Sequence, residues 1–205
     1  MADPGDELLA LEHALSVLDA SREGVLQFAG ETIPIRFIVN GANGRLIASI
    51  PAAALLAVDA VLHVPEETPD ALQLQLSLDE AQEGPATDQW QAHHGQPEHV
   101  RWSEFTIDAA RHGAWVFDGD AMMRPNTVAP GEAALCRTLN SDKPRLAALC
   151  QRFAGLVVPD PTCVAVDPAG IVVRARFGVV RVFFPQRAAD AEAAKSQIES
   201  MLGQL

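Results

Sequence analysis

Apolar residues recur at helical spacing near both ends of this chain and at two-residue spacing through most of its middle. Leu8, Leu11, Leu15 and Leu18 fall three and four residues apart, so residues 3–20 are predicted to form an amphipathic helix with one docking face. Asp3 is its expected cap, Pro4 suits the first turn, and Asp6 and Glu7 lie where the helix dipole favours negative charge. From Gly24 the period changes. Residues 25–28, 33–39 and 46–50 read as strands, and the Asn/Gly-rich segment 40–44 supplies the turn chemistry between the last two. A short helix is expected over 51–58 and a strand over 61–64. Leu72, Leu74, Leu76 and Leu78 alternate with Gln73, Gln75 and Ser77, which predicts a strand with one buried face. Residues 79–100 are polar, with a short helix expected at 88–94. Strands are predicted over 102–107 and 113–117, with Asp118-Gly119 as a turn. Residues 123–131, containing Pro125 and Pro130, read as a linker.

The last third shows a different order. A helix capped by Asn140 or Ser141 should run to Ala154, burying Leu146, Leu149, Cys150 and Phe153, and end at Gly155. Strands follow over 162–166, 171–177 and 179–184, punctuated by the Asp167–Gly170 turn and by Gly178. Pro185 stops the last of them, and Asp190 can cap a final helix with Ala191, Ala194, Ile198 and Leu202 on one face. The expected fold is α+β: a six-stranded barrel with an N-terminal helix over residues 1–131, then a small α-β-β-β-α domain over 132–205.

Composition narrows the functions open to such a fold. Hydrophobic residues make up 48% of the 205, and the formal net charge is −12. A surface this negative repels phosphate backbones, so no nucleic-acid partner is expected. No apolar run approaches the length that spans a bilayer, so no membrane partner is expected either. The acidic N-terminus lacks a signal-peptide layout, and three cysteines, Cys136, Cys150 and Cys163, have no metal-like spacing. They read as small buried hydrophobes in a reducing compartment, and the expected location is cytoplasmic.

Residues 139–185 carry a family resemblance. Thr138-Leu-Asn-Ser-Asp-Lys143 precedes the helix, Val164–Asp167 and Gly170-Ile171 follow, and Arg181-Val-Phe-Phe-Pro185 closes the segment. This resembles the haem-utilisation subgroup of the pyridoxamine-phosphate-oxidase-like, FMN-binding split-barrel superfamily, where the first segment reads roughly His-Met-Asn-any-Asp-His. The resemblance implies a split barrel, a homodimer, FMN or haem as cofactor, and cofactor-binding positions at Asn140, Asp142 and Lys143. At the last of these a lysine stands where haem-binding members carry histidine. A protonated ammonium has no lone pair for iron, so the ligand is lost; Thr138 likewise replaces the first histidine. Asn140 and Asp142 also suit a helix N-terminus with no ligand at all.

Other chemistry is sparse. Arg174, Arg176 and Arg181 form the strongest local cationic patch, open to an anionic ligand or to ion pairs with Asp167 or Asp142. The barrel arginines Arg22, Arg36, Arg45, Arg101, Arg111 and Arg124 show no phosphate-clamping cluster, though Arg36 and Arg45 could face one another across the 40–44 turn. Trp90, Trp102 and Trp115 suit core packing or the stacking of a ring. Five of the six histidines lie between His63 and His112, but no pair has metal-ligand spacing, so no metal site is expected. Asp118-Gly-Asp120 resembles half a calcium loop without its later glutamate. No catalytic residues can be named. The expected function is non-catalytic binding of a small molecule or protein partner. The alternative is an FMN- or haem-binding oxidoreductase or haem-degrading protein, in which His93, His94 or His99 replaces the ligand missing at Lys143.

Overall fold

The computed structural model describes residues 4–99 and 101–205, so Asp3, the expected cap of the first helix, lies outside the described residues. The fold is α+β, with six α-helices and ten strands among the described residues. It divides into two compact units, residues up to Gln91 with Gly95–Arg124, and Ala92–His94 with Pro125–Leu205.

In the first unit, β1 (Glu23–Phe28), β2 (Glu31–Val39), β3 (Leu46–Ile50), β4 (Ala60–Val64), β5 (Leu72–Glu80) and β6 (Arg101–His112) form an antiparallel sheet in the order β3-β2-β1-β4-β5-β6. β3 then pairs back onto β6, with Leu46 opposite Phe105 and Ile50 opposite Arg101, and the sheet closes into a six-stranded barrel. β7 (Trp115–Asp118) adds a hairpin strand to β6. Closure removes both sheet edges and gives every second side chain a common interior. Leu26, Phe37, Leu46, Ile50, Leu62, Leu74 and Phe105 are wholly buried there. Each such side chain stabilises the barrel by about 1.5–3 kcal/mol relative to exposure.

β3 is buried on both faces. Ile47 points outward and joins Ile38, Trp102 and Trp90, the last from α2 (Pro85–His94), in a second apolar cluster. The two indoles meet edge to face at 5.2 Å. The turn before β3 needs Gly44: its φ is +77°, and a Cβ there would lie 2.4 Å from the Arg124 amide nitrogen.

Several boundaries differ from expectation. α1 (Pro4–Ala20) buries Ala14, Leu15 and Leu18, but Leu8 is 60% exposed, so the docking stripe begins a turn later than its spacing predicts. Residues 51–58 form only one 3₁₀ turn, at Ala54–Leu56. β6 continues through Asp108–His112, poor strand formers by composition, because β5 and β7 pair with that stretch from either side. Gly119 opens a short helix, α3 (Gly119–Met122), and Asp118 caps it by accepting the Asp120 amide at 3.0 Å. The half calcium loop is this cap.

The second unit holds α4 (Ala129–Asn140), α5 (Lys143–Ala154), the antiparallel strands β8 (Thr162–Asp167), β9 (Gly170–Ala175) and β10 (Gly178–Phe183) in the order β10-β9-β8, and α6 (Ala191–Leu202). α4 starts inside the expected linker. Pro130 sits in its first turn, where no intrahelical donor is lost, and Leu135 and Leu139 are buried. α5 is capped by Asp142, which accepts the Arg145 amide at 3.1 Å, rather than by Asn140 or Ser141. Gly155, at φ +70°, ends α5, and Asp190 caps α6 through the Ala193 amide. Leu146, Leu149, Val166, Val173, Val180, Val182 and Ile198 form the core.

Candidate functional site

The barrel wall carries a pocket of about 300 Å³ beside the tryptophan cluster. Val25 on β1, Pro34 and Ile35 on β2, Pro65 after β4, and Trp90 on α2 give it an apolar lining. Pro34 stands opposite Val25 at a position whose backbone nitrogen faces away from β1, so the strand carries a proline there without losing a β1–β2 bond. The indole N–H of Trp90 donates to the Arg36 carbonyl at 2.9 Å and fixes α2 against β2. Buried Ser49 donates to the His99 carbonyl at 2.9 Å and accepts the His99 amide at 3.0 Å, which fixes the segment after α2 on the same side.

The polar part of the lining is acidic. Glu23, Glu66 and Glu98 face it against a single cation, Arg36, which pairs with Glu98 at 3.4 Å. Neither Glu23 nor Glu66 has an ion-pair partner among the described residues. The surrounding sequence has the same sign. Residues 1–124 hold 20 Asp and Glu against six Arg and no Lys, a net charge of −14, whereas residues 125–205 hold seven against nine Lys and Arg, a net of +2.

Each of those six arginines already has a partner. Arg45 pairs with Glu104 at 3.0 Å, Arg101 with Glu80 at 2.9 Å and Arg124 with Glu12 at 3.2 Å. Arg22 donates to the carbonyls of Asp19 and Ser21, and Arg111 to that of Gly113. Arg36 and Arg45 do not face one another across the turn: β2–β3 pairing sets Val39 opposite Leu46 and Phe37 opposite Ala48. Instead Asn40, Asn43 and Arg45 all donate to Glu104 on β6 and tie the turn to the barrel. Burial pushes the Glu104 carboxyl up, but these hydrogen bonds and the Arg45 charge outweigh it and hold the group below its ordinary pKa.

Of the residues singled out by the resemblance, Asn140 and Asp142 hold elements of the second unit together. The Asn140 amide clamps the Cys163 backbone, accepting its N–H at 2.8 Å and donating to its C=O at 2.9 Å. Asp142 is the α5 cap. Lys143 donates to the exposed Asp160, and this hydrogen bond and charge hold the Asp160 carboxyl below its usual range. Arg181, whose side chain is 7% exposed, forms a two-point pair with Asp167; one contact is 2.7 Å, the other joins Nη2 to Oδ1. Arg174 donates to the Ala92 carbonyl at 2.8 Å. Arg176 lies in the β9–β10 turn rather than on a strand, since β9 ends at Ala175. Only Arg174 and Arg181 therefore share a sheet face, and the expected trio of strand arginines is not assembled.

No group of three or more His, Cys, Asp or Glu suited to a metal occurs among the described residues. His93 and His94 end α2 with rings 5.9 Å apart, and His99 lines the pocket. Trp90 and Trp102 are core residues, and Trp115 is partly buried against the barrel interior. FMN and haem both fit these positions poorly. A flavin phosphate or haem propionate needs uncommitted cationic donors, and each barrel arginine is engaged, while the ammonium at Lys143 is tied to Asp160.

No protein-family model and no curated protein matches the chain. A crystal structure of a protein of unknown function from Agrobacterium tumefaciens aligns with TM-score 0.72 at 15% identity, covering 98% of this chain and 97% of that one. That likeness establishes a shared fold along the whole chain. A haem-binding protein from Mycobacterium smegmatis aligns over 100% of this chain and 98% of that one at 14% identity, but its TM-score of 0.44 carries no argument.

Proposed function

We propose that this protein is a non-catalytic binding member of the split-barrel superfamily, which takes a small organic cation in the barrel pocket in place of flavin or haem. In this reading a barrel domain of residues 1–131 binds the ligand, a domain of residues 132–205 supports it, and the chain works as a cytoplasmic homodimer. One observation supports it above the rest. The cations of the barrel half are all engaged with protein partners, while Glu23 and Glu66 stand at an apolar, Trp-lined pocket with no ion pair among the described residues. An ammonium gains from the carboxylates and from an indole face, each worth about 0.5–2 kcal/mol at a partly exposed site. A phosphate or propionate meets repulsion there.

The test uses benzylamine and benzyl alcohol as probes, with the Trp90 indole N–H resonance as reporter and haemin and FMN titrated in parallel. Benzylamine should shift that resonance and benzyl alcohol should bind about tenfold more weakly, with the preference removed in Glu23→Gln/Glu66→Gln and screened by salt. Equal binding of amine and alcohol would overturn the cation preference. A stoichiometric Soret-absorbing or yellow complex would overturn the reading itself.

A further inference from the structure

We propose that Cys136 and Cys163 form an oxidisable dithiol, which closes to a disulfide when the protein meets a hydroperoxide. Their sulfurs are 3.6 Å apart. A disulfide bond is about 2.05 Å long, so closure needs an approach of roughly 1.5 Å, within the reach of side-chain rotation and small backbone adjustment. The two residues come from different elements, α4 and β8, and one clamp holds those elements in register. Asn140, one turn beyond Cys136 on α4, binds both the amide and the carbonyl of Cys163.

The pair is also asymmetric in access. Cys163 is buried, and its S–H points between Cys136 Sγ and the Ala165 carbonyl, each at 3.6 Å. Hydrogen bonding with Cys136, together with burial, pushes the Cys163 thiol up and keeps it protonated. Cys136 is only partly buried and is the sulfur that meets the oxidant. Its thiolate attacks one peroxide oxygen, the O–O bond breaks, and the leaving oxygen departs as water, giving a sulfenic acid on Cys136. The Cys163 sulfur then attacks that sulfur, the S–O bond breaks, and a second water carries away the Cys163 proton. Two thiols lose two electrons and the hydroperoxide gains them.

Cys150 is an internal control. It is buried on α5, its thiol is pushed up to about 11 by burial, and no sulfur contacts it among the described residues. The full-length protein is treated with hydrogen peroxide, denatured, alkylated and mapped without reduction. A loss of about 2 Da is expected with a Cys136–Cys163 cross-linked peptide, reversed by dithiothreitol. Alkylatable thiols should fall from three to one, the remaining one being Cys150. The same cross-link should form in Cys150→Ser, and Cys163 should stay alkylatable in Cys136→Ser. Three thiols still alkylatable, a sulfinic acid on Cys136 beside a free Cys163, or a Cys136–Cys136 link between chains would each overturn the proposal, and the wild-type map decides it even if a variant fails to fold.

Discussion

The two units differ in how far their charged pairs are exposed to water. In the barrel, charged groups lie outside a closed hydrophobic interior: Arg36, Arg45, Arg101 and Arg124 make ion pairs whose members are a quarter to two-thirds exposed. In the C-terminal unit, Arg181 and Asp167 pair on the sheet with little exposure, and Asn140 spends its whole amide on one backbone residue. Burial makes the second kind costly to break and leaves the first kind screened by solvent. Two of the residues that look most like a cofactor site, Asn140 and Arg181, are thus committed to holding the unit together.

The sharpest test of that contrast is to remove one arginine from each unit. Arg181→Met removes the two-point guanidinium contact from Asp167, which keeps the Ala169 and Gly170 amides, and should cost about 3 kcal/mol. Arg45→Met, at a pair with 40% and 24% side-chain exposure, should cost about 1 kcal/mol or less. Urea unfolding of both variants measures the difference, and equal costs would erase the distinction. Next in size is Asn140→Ala, which orphans the amide and carbonyl of Cys163 and should cost about 2–3 kcal/mol in the same assay. A cost under half that would mean the clamp is replaceable by water.

Strand alternation made much of the barrel legible in advance. The Leu72–Leu78 pattern and the Asn/Gly turn at 40–44 both became the elements they suggested, because each rests on local chemistry. A six-stranded barrel was expected and is found, but its closing seam was not legible: β3 and β6 are separated by the whole of β4, β5 and α2, and no local pattern states that they pair. α4 was missed because Pro130 and Gly131 look like linker punctuation, although a proline in the first turn followed by Leu135 and Leu139 at four-residue spacing was a usable signal. The Arg181–Asp167 pair was among the readings the residues allowed. The Cys136–Cys163 contact was not, since a separation of 27 residues says nothing about two sulfurs that meet only when α4 packs on β8. The pocket left faint traces, a proline within a strand and a tryptophan on a short helix. Neither carries meaning until the strands are placed.

Acid and base should act on the two units with opposite signs. Glu104 has a lowered pKa in the folded barrel, so its contribution is present above the ordinary glutamate pKa and is lost as pH falls through the lowered value. Glu132, on α4, is pushed up by burial, against the hydrogen bond it accepts from Val166, and further by the Asp167 charge. It binds its proton more tightly folded than unfolded. Its contribution is therefore full below the ordinary glutamate pKa and is lost as pH rises through the raised value. Hydrogen exchange resolved by unit across this range should show acidification loosening β3 and β6 while protecting α4 and β8. Glu104→Gln should flatten the first trend and Glu132→Gln the second. Parallel trends in both units would contradict the assignment.

The smallest effect belongs to the position where the family resemblance invites the largest. Lys143 and Asp160 are 47% and 65% exposed, and water screens an ion pair that open almost completely. Lys143→Ala should thus leave the unfolding midpoint nearly unchanged. Lys143→His places an imidazole at the position the sequence resemblance singles out, on the first residue of α5 beside a solvated carboxylate. An imidazole there lacks the buried, water-excluding surroundings that tune a haem ligand, so haemin titration should give no Soret shift beyond that of the wild type. If the single change created a tight haem complex, the C-terminal unit would still hold a latent site that needs only its ligand. The contrast between a binding barrel and a structural partner would then have to be reversed.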